Sequence, residues 1–314
     1  GGPARRAPPP PPASCRSAPL RGGRSSFCGG SLSLVAVARA RPASLSASVD
    51  RAPLSTVAAT VPSGSTVLVI GATGGVGQLL TCKLLERGYK VKAMVRSVER
   101  AEEVLGKGIA GLEFVVGLDT RDRAGLLSSG VASGVDAVLC ATGTTAFPSA
   151  RWKGGNTPQA IDLMGTANLV AACEGAGVGR FVLCSSVGVE RYDQMPYKIL
   201  NAFGVLKYKA QGEQRLMDSG VPFTIIRPGR LTDGPYTSYD INTLTKATSG
   251  TRRKVELAKG DCLDGEASRI VVAEAMVQAL DIQGTEGGVY CISSAEGAGP
   301  EADKGAWEKL FAAC

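Results

Sequence analysis

The chain has 314 residues, of which 44% are hydrophobic and 20% charged, an ordinary composition for a globular protein that buries one α/β core. No run of residues approaches the ~18 consecutive apolar positions of a membrane-spanning helix, so we expect none. His is absent, which excludes Ser-His-Asp and Cys-His nucleophiles and His-ligated metal sites. Any catalysis is left to Lys, Tyr, Ser, Asp, Glu or a cofactor.

The formal net charge of +7 arises in the N-terminal region. Residues 1–49 hold seven Arg and no acidic residue, whereas residues 50–314 hold 28 basic and 28 acidic side chains. The basic surplus therefore does not indicate nucleic-acid binding by the body of the chain.

The nine Cys are scattered without Cys-x-x-Cys spacing. This pattern predicts reduced core thiols, with neither a disulfide framework nor a metal site.

Residues 1–60 are predicted to be a disordered transit peptide and linker. The first 49 residues are rich in Arg, Ser, Ala and Pro, with five consecutive prolines at 8–12, and an Arg-rich, acid-free segment is typical of organelle transit peptides. The alternative is a disordered arm that stays attached and binds an acidic partner. Composition alone does not distinguish a plastid from a mitochondrion.

The folded part begins with a strand, a glycine turn and a helix. Residues 66–70 (TVLVI) are a continuous apolar run of strand length, and Val76, Leu80 and Leu84 share one face of the following helix. The same alternation continues along the chain. Further strands are predicted at 90–95, 112–116, 135–140, 180–184 and 222–226, and further helices at 97–105, 158–176 and 207–218.

After residue 228 the pattern loosens, with strands predicted at 254–258 and 288–292 and a helix at 269–280. Strands that alternate with helices predict an α/β fold, a doubly wound parallel sheet of the Rossmann type with helices on both faces. We expect a single domain over residues 61–314, in which small C-terminal elements cap the sheet and form the substrate side of a cleft.

The turn at residues 71–77 (GATGGVG) follows the first strand and opens the first helix, which is the context of a dinucleotide-binding turn. Gly71 suits the tight turn, Gly74 lets the backbone approach a pyrophosphate, and Gly77 lets helix and strand pack closely. The helix N-terminus adds free N–H groups and a positive dipole. The residues predicted to bind the cofactor here are Gly71, Thr73, Gly74, Gly75, Val76 and Gly77.

Arg96 ends the second strand, where an NAD-preferring site carries Asp or Glu for the ribose hydroxyls. A guanidinium suits the 2′-phosphate of NADP instead, so the sequence favours NADPH, and Arg100 adds charge nearby. The alternative for Arg96 is a solvated residue at a helix start. Asp119, after the third strand, either accepts a hydrogen bond from the adenine amino group or caps the following helix.

Ala141, Thr142 and Gly143 follow the fourth strand. Small residues at this position allow the ribose and nicotinamide to pass close to the sheet edge. The alternative is a tight loop that binds nothing.

These motifs, together with VLCSSVG at 182–188 and SGVPFTIIRPGRLTDGP at 219–235, resemble the atypical short-chain dehydrogenase/reductase family in its NmrA-like branch. The resemblance covers about residues 66–295 and is greatest to plastid members of plants and algae. It implies NADPH binding and a chloroplast location, in the stroma or at the thylakoid or envelope surface, rather than a mitochondrial one. It does not identify a substrate.

Members of the family use a Ser with a Tyr-x-x-x-Lys helix, in which Tyr donates a proton, Lys holds the ribose and lowers the pKa of Tyr, and Ser orients the substrate. The resemblance places the Ser at Ser185 or Ser186 and the Lys at Lys209. Val205 stands where the Tyr is expected, or Phe203 if Lys207 is counted as the Lys, so the usual acid is missing in either case. Tyr192, Tyr197 and Tyr208 are either substitutes for it or packing residues.

Two functions agree with these features. The first is an NADPH-dependent oxidoreductase acting on a small redox-active molecule such as a quinone, a flavin or a conjugated ring, for which the cofactor carries the chemistry. The second is a non-catalytic NADPH-sensing or assembly factor that binds a plastid protein, and the missing Tyr favours it. Peripheral membrane association is compatible with both, and nucleic-acid binding is not expected.

Overall fold

A computed structural model describes residues 60–232 and 251–314. The predicted transit peptide and linker, apart from residue 60, and the polar stretch 233–250 lie outside the described residues.

Ten strands occur in the described residues. They are β1 (Thr66–Ile70), β2 (Lys90–Met94), β3 (Leu112–Val115), β4 (Ala137–Cys140), β5 (Arg180–Cys184), β6 (Phe223–Pro228), β7 (Arg230–Thr232), β8 (Lys254–Lys259), β9 (Glu266–Ser268) and β10 (Gly288–Ala295).

Helices connect most of these strands. They are α1 (Gly75–Glu86), α2 (Val98–Leu105), α3 (Arg123–Ser129), α4 (Thr166–Ala176), α5 (Tyr197–Leu200), α6 (Val205–Met217), α7 (Arg269–Asp281) and α8 (Lys304–Ala312), with a 3₁₀ segment at Ala150–Gly155 and a π-helical turn at Gln159–Gly165 that runs directly into α4.

Eight strands form one sheet in the order β3-β2-β1-β4-β5-β6-β10-β8, and β7 pairs with β9 in a small second sheet. Neighbours from β3 through to β10 are parallel, and β8 is antiparallel to β10. The strand order reverses between β1 and β4, which is the switch point where doubly wound folds bind dinucleotides. The predicted Rossmann fold is therefore confirmed.

Two hydrophobic cores cover the two faces of the large sheet. Along β1, Val67 and Val69 pack in the core formed with α1, α2 and α7, whereas Leu68 and Ile70 pack in the core formed with α3, α4 and α6. Successive side chains of a strand point to opposite faces, so a strand covered on both sides must be apolar throughout. The TVLVI run has this property.

The C-terminal strands β8 and β10 belong to the large sheet, whereas the sequence predicted small elements that cap it. β10 pairs in parallel with β6, and β8 extends the same sheet at its edge, so they continue the core. The helix predicted at 158–176 is divided into the π-helical turn and α4. Within residues 60–232 and 251–314, none of the helices combines the length and the apolar character needed to span a membrane.

Candidate functional site

The turn after β1 leads directly into helix α1. Within the described residues, no side chain caps the N-terminus of this helix by a hydrogen bond. Gly71 has φ of +82°, and its carbonyl accepts a hydrogen bond from the amide of Gly74 at 2.9 Å. A Cβ added at Gly77 would overlap the carbonyl oxygen of Gly71, so only Gly fits there. The first amides of α1 are thus available to an anion, as a pyrophosphate site requires.

Side chains around the turn hold it in place. Gln78 is buried, and its Nε2 donates to the carbonyl of Thr73 at 2.9 Å. Val76 is buried in the core, so Gly75 and Val76 offer a ligand their backbone N–H groups. Gln78 was not predicted from the sequence, although a polar residue on the inward face of an otherwise apolar helix could have indicated it.

The turn after β4 lies against the turn after β1. The amide of Ala141 donates to the carbonyl of Ile70 at 2.9 Å, and a Cβ on Gly71 would come within 3.1 Å of the Thr142 methyl group. The hydroxyl of Thr142 lies 3.2 Å from the Cys140 sulfur. The structure therefore brings together the two predicted cofactor turns, 71–77 and 141–143, at the switch point.

Lys209 on α6 forms an ion pair with Asp162 in the π-helical turn, with Nζ and Oδ1 at 2.7 Å. The two side chains are 13% and 0% exposed. The amide of Thr144 donates to the same carboxylate at 3.3 Å, and its hydroxyl also donates there. Gly143 borders this pair, since a Cβ on it would lie 2.8 Å from Lys209 Nζ.

The pKa of Lys209 is raised from its ordinary value. Burial acts to lower it, but the adjacent carboxylate of Asp162, by its charge and its hydrogen bond, outweighs burial. Lys209 is therefore an ammonium at neutral pH. Asp162 was missed by sequence reasoning, because its partner is distant in sequence and only the fold brings them together.

Ser185 follows β5, and its hydroxyl is buried without a hydrogen-bond partner in the described part of the chain. It lines a small pocket, partly open to solvent, together with Thr142, Asp162 and Lys209. A buried hydroxyl without a partner is costly and calls for an explanation, and a bound ligand is one. Ser186, the other candidate, instead donates to the carbonyl of Val187 at 3.0 Å.

Cys184, which lines the pocket, and Cys140, which contacts Thr142, are neutral thiols. Burial raises the pKa of Cys184 to about 11, although the charge of Lys209 opposes this rise, and burial likewise raises the pKa of Cys140. Because the thiolate is the nucleophile, neither sulfur is activated for attack.

Tyr192, Tyr197 and Tyr208 each have neighbours of their own in the structure. The Tyr197 hydroxyl donates to the carboxylate of Asp264, and burial together with this contact raises its pKa to about 12. Tyr192 packs beside a small cluster of buried side chains, and the ring of Tyr208 borders Gly204. Val205, at the position of the missing acid, is buried.

Arg96 and Asp119 lie at the carboxyl ends of β2 and β3. Arg96 is exposed, and the pKa of Asp119 is lowered, chiefly by hydrogen bonds from Arg121 and further by the charges of Arg121 and Arg96. Asp119 forms an ion pair with Arg121 at 2.5 Å. The alternative that Asp119 caps the next helix is wrong, because Asp122 does so by accepting from the amide of Gly125 at 3.0 Å.

A family model described as NAD(P)H-binding matches residues 71–283, which begins at the first glycine of the turn after β1. The chain belongs to this NAD(P)H-binding family. The NAD(P)H-binding domain thus includes both cofactor turns, the Lys209–Asp162 pair and Ser185. This membership confirms the prediction of a nicotinamide cofactor, NAD(P)H.

Relatives of this NAD(P)H-binding protein include several chloroplastic ones. It is 36% identical to an uncharacterised chloroplastic protein of Arabidopsis thaliana over 222 residues, which is 68% of this chain and 71% of that one. It is 32% identical to the chloroplastic protein TIC 62 of Pisum sativum over 227 residues, 67% of this chain but only 39% of TIC 62. These names agree with the predicted chloroplast location.

Other similarities are to reductases and dehydrogenases. Sanguinarine reductase of Eschscholzia californica is 31% identical over 263 residues, 73% of this chain and 89% of that one. A solved structure from Bacillus halodurans, described as an NAD-dependent epimerase/dehydratase, superposes with a TM-score of 0.61 at 25% identity, over 80% of this chain and all of that one. The resemblance to atypical short-chain dehydrogenases is therefore confirmed.

Proposed function

We propose that this protein is an NADPH-dependent reductase of a small, conjugated, redox-active molecule in the chloroplast. One observation carries the proposal: the Lys209 ammonium and the unpartnered hydroxyl of Ser185 line the same pocket, which adjoins the turn 141–143. A positive charge and a free hydrogen-bond donor beside a nicotinamide site suit an acceptor that gains negative charge.

The residues present suit both the nicotinamide half and the adenosine half of the cofactor. The turn 71–77 and the amides at the start of α1 would hold the pyrophosphate, and Ala141, Thr142 and Gly143 would border the nicotinamide side. Lys209 would hold the ribose next to it. At the adenosine end, Arg96 would bind the 2′-phosphate of NADPH and Asp119 the adenine amino group.

A bound dihydronicotinamide supplies a hydride to the acceptor. The Lys209 ammonium would offset the negative charge that the acceptor gains, and the hydroxyl of Ser185 would donate a hydrogen bond to it, while Ser186 flanks the pocket. With Val205 in place of the usual Tyr, that position offers no phenol as a proton donor. Quinones and flavins suit this arrangement, because their reduced anions are stable enough to take the remaining proton from water.

A partly exposed aromatic cluster, formed by Phe147, Trp152 and Phe203, supports a planar, apolar acceptor. The ring of Phe203 stands edge-on to those of Phe147 and Trp152, with centroids 6.1 and 5.9 Å apart. Phe203 and Phe147 are each 48% exposed. Phe203 lies in the turn just before α6, the helix that carries Lys209, and the Trp152 indole donates to Thr145, next to the Thr144 that binds Asp162. A conjugated ring could stack here.

Oxidation of NADPH with a panel of quinone and flavin acceptors tests this function. We expect turnover with at least one acceptor, and Phe203→Ser should raise its KM by roughly tenfold without changing NADPH affinity. Leu127→Ser, at another exposed apolar position on α3, is the control and should leave KM unchanged. Tight NADPH binding with no turnover across the panel would refute the reductase proposal.

That negative result would favour the second function, an NADPH-sensing or assembly factor. Val205 supports it, because the usual acid is absent. So does the name of one relative, the photosystem II assembly factor Ycf39 of Trieres chinensis, which is 27% identical over 57% of this chain and 50% of that one. In that case NADPH should alter the affinity for a plastid protein partner rather than be consumed.

A further inference from the structure

Two cysteines outside the pocket lie in contact on the C-terminal side of the sheet. Cys262 is in the loop after β8, and Cys291 is on β10, with their sulfurs 3.6 Å apart. Each thiol also donates to a carbonyl of β8, Cys262 to Lys259 at 3.4 Å and Cys291 to Ala258 at 3.3 Å. The backbone of one strand thus holds both sulfurs next to each other.

The two thiols differ in access to solvent. Cys262 is exposed, which departs from the expectation that the cysteines are core thiols, whereas Cys291 is buried. A disulfide bond would require the sulfurs to approach by about 1.5 Å, a distance that rotation of the exposed side chain can supply. An accessible thiol with a buried neighbour is the usual arrangement of an attacking and a resolving cysteine.

We propose that Cys262 and Cys291 form a thiol–disulfide site that is oxidised by small-molecule disulfides of the glutathione class. The contact with Cys291 raises the pKa of the exposed Cys262 thiol, so the reaction proceeds through its deprotonated fraction. That Cys262 thiolate attacks one sulfur of the oxidant, forming a mixed disulfide and releasing one thiol. The Cys291 thiolate then attacks the Cys262 sulfur and releases the second thiol. Two protons leave the cysteines, and two electrons reduce the oxidant to two thiols.

The loop that carries Cys262 is bonded to the segment after β5. The carboxylate of Asp261 accepts from the amides of Gly188 at 2.7 Å and Glu190 at 2.9 Å, and it pairs with Arg191 at 3.3 Å. A bond from Cys262 to Cys291 would fasten this loop to the sheet and, through Asp261, restrain the segment that follows Ser185 and Ser186. Oxidation of the two cysteines would therefore restrain the backbone at the edge of the pocket. This effect does not require the protein to be a reductase.

The test is to treat the full chain with oxidised glutathione and to map its peptides without reduction. We expect a 262–291 cross-linked peptide, the loss of two hydrogen atoms and reversal by dithiothreitol. Cys262→Ser should abolish the cross-link, whereas Cys314→Ser, whose thiol donates to Leu257 and Leu310, should not. A stable glutathione adduct on Cys262 without the cross-link, or no reaction at either cysteine, would overturn the proposal.

Hydrogen exchange measures the consequence for the loop. In the cross-linked protein the amides of Gly188 and Glu190 should exchange roughly tenfold more slowly than in the reduced protein. Cys262→Ser carried through the same oxidation should show no slowing. Equal exchange rates in the cross-linked and reduced protein would refute the coupling to the pocket.

Discussion

Lys209 carries the positive charge of the pocket, and its environment explains why that charge persists. The side chain is nearly buried, so an unpaired ammonium there would be costly, and the carboxylate of Asp162 compensates it. Asp162 is in turn held by the amide and hydroxyl of Thr144, close to the cofactor turn 141–143. A cation fixed in this way can act on a ligand without reorganising.

Replacement of one partner should therefore destabilise the fold. Lys209→Met leaves the Asp162 carboxylate buried without its counter-charge, and we expect a loss of about 3 to 5 kcal/mol in the free energy of unfolding, measured by urea denaturation. Glu103→Gln, which breaks the exposed pair with Arg100, is the control and should cost less than about 1 kcal/mol. Equal and small losses in the free energy of unfolding of the two variants would show that the Lys209–Asp162 ion pair does not stabilise the fold.

Only part of the site was predictable from the residues themselves. The glycine turn could be predicted because its chemistry is contained in seven consecutive residues. Lys209 required the family resemblance, and Asp162 required the fold. The unpartnered hydroxyl of Ser185 could not be predicted either, because whether a buried group finds a partner depends on the packing of several elements at once.

Among the elements, α1 links the fold most directly to the cofactor. Its N-terminus is brought close to β1 by Gly77, and its inward face packs in the core with α7. The same glycine therefore serves both packing and the approach of the turn to a pyrophosphate.

Gly77→Ala should lower the free energy of unfolding by about 1 to 3 kcal/mol, because the added methyl group would overlap the Gly71 carbonyl. It should also weaken NADPH binding by at least about tenfold, since the turn must shift. Gly175→Ala, near the end of α4 with no atom within 4 Å of the added Cβ, should instead stabilise by up to about 1 kcal/mol. Urea denaturation and NADPH fluorescence titration measure both effects, and equal behaviour of the two variants would contradict this view of α1.

The predicted elements differ in how well they match the structure. β1 and β5 have their predicted bounds, because each is a short run buried on both faces. The π-helical turn before α4 was not predicted, since apolar periodicity does not distinguish it from an α-helix. Neither were α3 and α8, of which α3 is only seven residues long. Asp162 lies in that π-helical turn, so the missed irregularity is also where part of the site lies.

At the scale of the molecule, the parallel sheet gathers the functional residues along one edge. The turns after β1, β2, β4 and β5 all lie at the carboxyl ends of parallel strands, which is why residues far apart in sequence meet there. Arg227 of β6 binds Glu213 of α6 at 2.6 Å and Glu190 at 2.5 Å, so ion pairs connect the sheet, α6 and the segment after β5. The elements around Ser185 and Lys209 are thus bonded to one another.

The proposed preference for NADPH depends on one exposed residue, Arg96, at the far end of this edge. Arg96→Asp exchanges the guanidinium for a carboxylate, which repels a 2′-phosphate but can accept from a ribose hydroxyl. The matched control is Lys309→Asp on α8, an exposed position beside β8 at the opposite edge of the sheet. Both variants change the net charge equally, so a difference between them reflects position.

The most direct measurement is the equilibrium dissociation constant of NADPH and of NADH, by fluorescence titration, for the unaltered protein and these two variants. We expect the unaltered protein to bind NADPH more tightly than NADH. Arg96→Asp should raise the dissociation constant of NADPH by roughly 100-fold and change that of NADH by less than about threefold. Lys309→Asp should change neither dissociation constant. An equal loss for both cofactors, or no binding of either by the unaltered protein, would contradict the account.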